Sequence, residues 1–249
     1  MKDFAPDYSL AKVLASPNHG PRRDREPDAI VLHYTGMATG AAALARLCDP
    51  ASDVSAHYVV EEDGRIFQLV PEAFRAWHAG KSYWAGETDM NSASIGIEIV
   101  NGGHDFGSPP FPDAQIEAVI ALCRDIAGRH DIPPQNILAH SDIAPGRKAD
   151  PGERFPWAKL AAAGVGHYVP PHPPGDDKGL SLGDEGATVW DLQRKLVAYG
   201  YGLEVTGVYD EATQNVVTAF QRHFRPARVD GSADLSTRMT LRDLLSDAG

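Results

Sequence analysis

The chain has 249 residues, of which 43% are hydrophobic and 23% charged, and its formal net charge is -11. That length holds one large domain, or a medium one with a small one attached, and the composition is that of a chain able to form a core. The acidic balance argues against wrapping a nucleic-acid backbone, which needs clustered Lys and Arg, and no segment approaches the roughly 20 apolar residues of a membrane span.

Residues 1–16 contain no apolar run long enough for a secretory signal. The expected location is therefore cytoplasmic, or periplasmic if the chain begins after a removed signal. Ala29-Ile30-Val31-Leu32 is a short continuous apolar run, as in a buried strand. Cys48 and Cys123 sit in helix-like stretches among apolar neighbours and read as small buried hydrophobes. His57-Tyr58-Val59-Val60 and Ile66-Phe67-Gln68-Leu69-Val70 flank Asp63-Gly64, a hairpin signal. Ser94 to Val100 alternates, with Ile95, Ile97 and Ile99 on one face and Glu98 on the other. From Asp113, a candidate N-cap, Ile116, Val119, Ile120, Cys123 and Ile126 recur at helical spacing, and the helix should end before Pro133.

Four prolines between Val169 and Gly179 make a stiff spacer, in which His172 is expected to be solvated. Beyond it the pattern is helical and repeats: Val205-Thr206-Gly207 leads to Asp210, and Val229-Asp230-Gly231 to Asp234, each Asp placed to cap a helix. Val189, Leu192, Leu196 and Tyr199 mark an earlier helix. The fold expected is α/β, a mixed central sheet with flanking helices over residues 1–168, a linker at 169–179, and a small three-helix domain over 180–249. The tail carries no cluster suited to catalysis and reads as an independent binding module. Removing it should spare the catalytic part.

Histidine positions point to chemistry. His33 ends the strand begun at Ala29, and His140 follows Ile137-Leu138-Ala139 in the same way. A loop rich in Pro and Gly then runs from Ser141 to Gly152 and carries carboxylates. Two histidines and a carboxylate can form a three-ligand site with a fourth position for water, the arrangement of a catalytic zinc. On position alone, a hydrogen-bonded histidine at a strand end is the better reading of each.

Several segments appear in order: His33-Tyr34-Thr35, Ser55-Ala56-His57-Tyr58, Arg75-Ala76-Trp77-His78-Ala79-Gly80, Asn91 with Ser94-Ile95-Gly96-Ile97-Glu98, His140-Ser141-Asp142 through Lys148-Ala149-Asp150-Pro151-Gly152, and Phe155-Pro156-Trp157. Together they resemble the type-2 N-acetylmuramoyl-L-alanine amidases, the family shared with phage amidase lysozymes and peptidoglycan recognition proteins. The tail is similar to the three-helix peptidoglycan-binding domain. The resemblance implies Zn2+ held by His33, His140 and Asp150, with Glu98 activating water and Lys148 stabilising the tetrahedral oxyanion. It implies peptidoglycan or a muropeptide as substrate. His57 and His78 lie near the cleft in the family without being ligands, so both are expected in its wall. Arg75 is a candidate to pair with a peptide carboxylate. Two positions depart from the cytosolic recycling amidase: Tyr34 stands where that enzyme has Asn, and Asp89 where it has Arg. The competing readings are a recognition protein that binds muropeptide without cutting, and a metallopeptidase acting within the stem peptide.

Overall fold

The apolar run from Ala29 forms a strand covered on both faces, which is why its residues do not alternate with polar ones. The computed structural model describes residues 4–23 and 25–247, so the outer domain limits at 1 and 249 lie outside the described residues. Strands β1 (Lys12–Val13), β2 (His19–Pro21) and β3 (Ala29–Tyr34) are followed by helix α1 (Gly40–Leu47). Next come β4 (Tyr58–Val60), β5 (Ile66–Gln68), β6 (Phe74–Ala76), α2 (Met90–Ala93) and β7 (Ser94–Ile99). The long helix α3 (Asp113–His130) leads to β8 (Ile137–Ala139), the single turn α4 (His140–Ile143) and α5 (Trp157–Ala162). The tail holds α6 (Ala187–Tyr199), α7 (Glu211–Phe224) and α8 (Leu235–Asp247).

Six strands form one mixed sheet in the order β1-β5-β4-β7-β3-β8, while β2 and β6 pair separately. The expected hairpin is the antiparallel β4–β5 pair, and β4, β7, β3 and β8 run parallel. Alternation divides the apolar side chains between two faces. Ile30, Leu32, Ile95, Ile97 and Ile99 pack on one side with Ile116, Val119 and Cys123 of α3. The cap of α3 is Pro112 rather than Asp113, which is the first helical residue and pairs with Lys159 at 2.7 Å.

The far end of α3 is tied to the sheet through Glu72, a buried carboxylate that contacts Arg129 Nη2 at 2.8 Å, His130 Nε2 at 2.7 Å and the Tyr58 hydroxyl at 2.6 Å. Burial alone would raise its pKa, but the hydrogen bonds from Arg129, His130 and Tyr58 outweigh that and hold it at about 2. A depressed carboxylate stabilises the fold above its unfolded value near 4.5 and loses that contribution as pH falls towards about 2. Glu72→Gln should therefore cost on the order of 3 kcal/mol near neutrality. Denaturant melts across pH check this: the gap between the two proteins should close as the solution is acidified below pH ~4.

The tail's repeat has a physical basis. Gln193 accepts from the backbone N–H groups of Thr206 and Gly207, and Gln221 from those of Asp230 and Gly231. Each loop then ends at its capping Asp, with Asp210 receiving the N–H of Thr213 at 2.8 Å and Asp234 that of Thr237 at 2.7 Å. The bundle packs directly against the sheet rather than standing apart from it. Ala29, Val31 and Leu138 on the second face of the sheet share one buried cluster with Leu192, Phe220 and Leu244 of the bundle. The proline segment is likewise no free spacer: His172 donates its backbone N–H to Thr240 Oγ1 and meets Asp243 Oδ2 at 2.7 Å.

Candidate active site

Parallel strands end together, and β3, β7 and β8 bring their C-terminal ends to one edge of the sheet, where open α/β folds place their sites. His33 of β3 lies in register with Glu98 of β7, and His140 opens α4 directly after β8. His33 points to the same face as Val31, the face that the tail covers further back. Asp150 arrives from the loop after α4, where the Ser141 N–H donates to the Asp150 carbonyl at 3.0 Å.

Three atoms meet there. His33 Nδ1 and His140 Nδ1 are 2.9 Å apart, and Asp150 Oδ2 lies 3.0 Å from the first and 2.9 Å from the second. All three residues are buried. The protons of both imidazoles are committed elsewhere. His140 Nε2 donates to the Ala79 carbonyl at 3.1 Å, leaving a lone pair on Nδ1. His33 Nε2 meets His78 Nδ1 at 3.1 Å, and His78 Nε2 meets Ser94 Oγ, whose hydroxyl donates to the Met90 carbonyl. Read along this chain, each group donates to the next and His33 Nδ1 is also left with a lone pair. Two nitrogen lone pairs and a carboxylate oxygen converging on one point fit a metal ion. Burial and the neighbouring His140 push the His33 imidazole down to about 4. The two imidazoles hold Asp150 well below the usual carboxylate range, against the opposing effect of burial.

Glu98 stands beside this cluster, and its Oε2 is buried with no hydrogen-bond partner among the described residues. Burial, and then the charge of Asp150, push its pKa well above the usual value. Both Glu98 and the exposed Lys148 line a cleft of about 540 Å³ that opens over the cluster. The cleft also presents Arg46 and Arg222, a basic lining on an acidic chain.

His78 is in the cleft wall as expected, with its ring laid over Gly96, where a Cβ would come within 2.4 Å of it. Asn91 fixes that segment by accepting the N–H groups of His78 and Ala79, both at 2.8 Å. His57 is not in the wall. It is fully buried, accepts the Gly96 N–H on Nδ1 and donates from Nε2 to the Phe74 carbonyl. Burial and the adjacent Arg22 push its pKa down to about 3. Arg75 is also elsewhere: it lies on β6 and pairs with Asp89 at 3.1 Å, outside the cleft. Sequence reasoning missed Ser94 as the anchor of the His78 ring, and Arg222, which reaches the cleft from the tail. The Tyr34–His104–Glu153 chain was missed too, with contacts of 3.0 Å at each step.

Hydrolysis of an unactivated amide needs a strong nucleophile made from water and a base to take its proton. A metal ion held by the His-His-Asp cluster, under the cleft and with Glu98 at its side, would meet both needs, and this constellation is that of an amide hydrolase. Comparison with known proteins narrows this. A family model described as N-acetylmuramoyl-L-alanine amidase matches residues 23–153, and one for a peptidoglycan binding domain matches residues 185–241. The chain is 38% identical over 244 residues to N-acetylmuramoyl-L-alanine amidase AmiD of Escherichia coli, covering 88% of this chain and 83% of that one. A solved complex of the E. coli enzyme with anhydro-N-acetylmuramic acid-L-Ala-D-gamma-Glu-L-Lys superposes with a TM-score of 0.77 at 37% identity, covering 95% of this chain and 93% of the other. AmpDh3 of Pseudomonas aeruginosa, in complex with anhydromuramic pentapeptide, superposes with a TM-score of 0.73 at 33% identity over 97% and 98% of the two chains. This chain belongs to the N-acetylmuramoyl-L-alanine amidase family and carries a peptidoglycan-binding module.

Proposed function

We propose that the chain hydrolyses the amide between the lactyl group of N-acetylmuramic acid, including its anhydro form, and L-alanine, using one zinc ion held by His33, His140 and Asp150. The observation that carries this reading is the convergence of their three ligand atoms within 3.0 Å beside an unpartnered Glu98 oxygen. A zinc ion bound by these residues would supply Lewis acidity, the chemistry by which a bound water's pKa falls to about 7. Glu98 accepts a proton from the attacking water and returns it to the departing alanine nitrogen as the carbon–nitrogen bond breaks. The products are a lactyl carboxylate and a free amine. Lys148, exposed in the cleft, is the cation available to the oxyanion of the tetrahedral intermediate. Arg46 and Arg222 suit the carboxylates of a peptide stem.

Mass spectrometry of products from an anhydro-muropeptide, beside the zinc content of the protein, tests the reading. A stem peptide with a free N-terminal L-alanine is expected. Cleavage inside the stem would make the chain a peptidase, and a zinc-loaded protein that cuts nothing would make it a recognition protein. Glu98→Gln should retain zinc and lose roughly 10²–10⁴-fold in turnover, the usual contribution of positioned proton transfer. A drop of only a few-fold would hand that transfer to another group.

A further inference from the structure

Among the contacts between the tail and the catalytic part is one to a buried carboxylate, Asp142, two residues beyond the proposed zinc ligand His140. Asp142 is 0% exposed. A buried carboxylate is costly unless each oxygen finds donors. Its Oδ2 takes the Ala139 N–H at 2.8 Å and His223 Nδ1 at 2.7 Å, and its Oδ1 takes the Tyr201 hydroxyl at 2.8 Å. Only the first of these donors comes from the catalytic part. His223, on α7, is 2% exposed and stacked between Trp157 and Phe224, with ring centroids 3.7 and 3.8 Å away. Its donor direction is therefore fixed by packing on both ring faces.

We infer that His223 and Tyr201, both supplied by the C-terminal bundle, are positioning residues for the metal centre, acting through Asp142 on the turn that carries His140. Asp142 clamps the start of α4 through the Ala139 N–H, so the backbone from which His140 projects is referenced to the bundle. The same turn gives the Ser141 N–H to the Asp150 carbonyl, which extends the reference to a second ligand. Helix α7 also sits directly on the connecting loop: a Cβ on Gly146 would lie 2.6 Å from the Asn215 side chain. Two of the three ligands thus rest on a frame whose outer support is the tail. An alternative role for Asp142, a simple cap of its own short turn, would need the Ala139 contact and neither of the others.

This inference rests on the zinc reading of the site, and its test separates the two. Full-length zinc-loaded wild type, His223→Ala, His223→Asn and Tyr201→Phe are compared for the rate at which zinc passes to a chromogenic chelator, well below the melting temperature. Steady-state rates on an anhydro-muropeptide are measured alongside. Loss of outer support around a metal site commonly costs about 10–100-fold in affinity or activity, and His223→Ala should release zinc at least ~10-fold faster. Its kcat should fall while KM stays within about 2-fold, since no substrate contact is removed. His223→Asn should restore most of the loss, because its amide N–H can stand in for Nδ1–H. Tyr201→Phe should fall between. If His223→Ala does not fold, Tyr201→Phe decides the matter alone. Folded variants releasing zinc at the wild-type rate would overturn the inference. A wild-type protein that takes up no zinc would instead overturn the reading of the site.

Discussion

Replacing Asp150 with Ala is expected to strip the zinc and bring turnover to background in a single step. Its Oδ2 is the one ligand atom in contact with both His33 Nδ1 and His140 Nδ1, at 3.0 and 2.9 Å, so it closes the triangle. It is also the only negative charge among the three ligands, and a divalent ion in a buried site depends on that charge. The two imidazoles left behind retain their protons on Nε2 and their orientation, but two neutral nitrogens make an incomplete zinc site. Loss of second-layer support alone costs about 10–100-fold in metal affinity, so loss of a ligand should exceed that range. Atomic absorption on dialysed protein and turnover on a muropeptide measure the two quantities side by side. Full zinc and full turnover in Asp150→Ala would sink the ligand assignment. Retained zinc with lost turnover would move Asp150 from holding the metal to orienting what binds it.

The parts of this molecule that were legible in the sequence are those fixed by local pattern. The strand from Ala29 could be read because apolar cover on both faces leaves a continuous apolar run, and the alternation through Ile95, Ile97 and Ile99 because those side chains meet α3 while Ser94, Gly96 and Glu98 face the site. The capping Asp210 and Asp234 could be read from the repeated turn before each helix. His33 and His140 were visible as strand-end histidines, but the carboxylate that completes them came from the family pattern, because no periodicity links positions 33, 140 and 150. Arg75 and His57 were misplaced for a related reason. The pairing of Arg75 with Asp89, and the burial of His57 against Gly96 and Phe74, depend on how β6 and β7 pack, and neither leaves a mark on its own neighbours in the chain. Asp142 illustrates the limit most clearly. In His140-Ser141-Asp142-Ile143 it is an ordinary polar residue, and two of its three donors lie 59 and 81 residues further on.

Truncation after Pro170 is expected to destroy the catalytic part as well as the tail. The amphipathic stripes of α6, α7 and α8 are readable as a bundle, yet an apolar stripe does not say which surface it covers, and here part of it covers the sheet. Removing residues beyond Pro170 would uncover Ala29, Val31, Met90, Leu138 and Ile143 on that face, creating a contiguous apolar patch of the kind that drives aggregation. It would also take His223 and Tyr201 from Asp142, leaving the Ala139 N–H as the one donor of the three that still holds this carboxylate. The bared apolar face is the larger loss, set against a total stability of about 5–15 kcal/mol for a typical domain. The truncated chain should therefore be largely insoluble, or melt far below the full-length protein, and should lose activity on a small muropeptide as severely as on sacculi. A tail that served only to concentrate the enzyme on an insoluble polymer would give the opposite pattern, with the small soluble substrate spared. Soluble yield, a thermal melt and rates on the two substrates distinguish the outcomes. A truncated protein with an unchanged melt and full turnover on the small muropeptide would show that the sheet face can be left bare and that the shared core is dispensable.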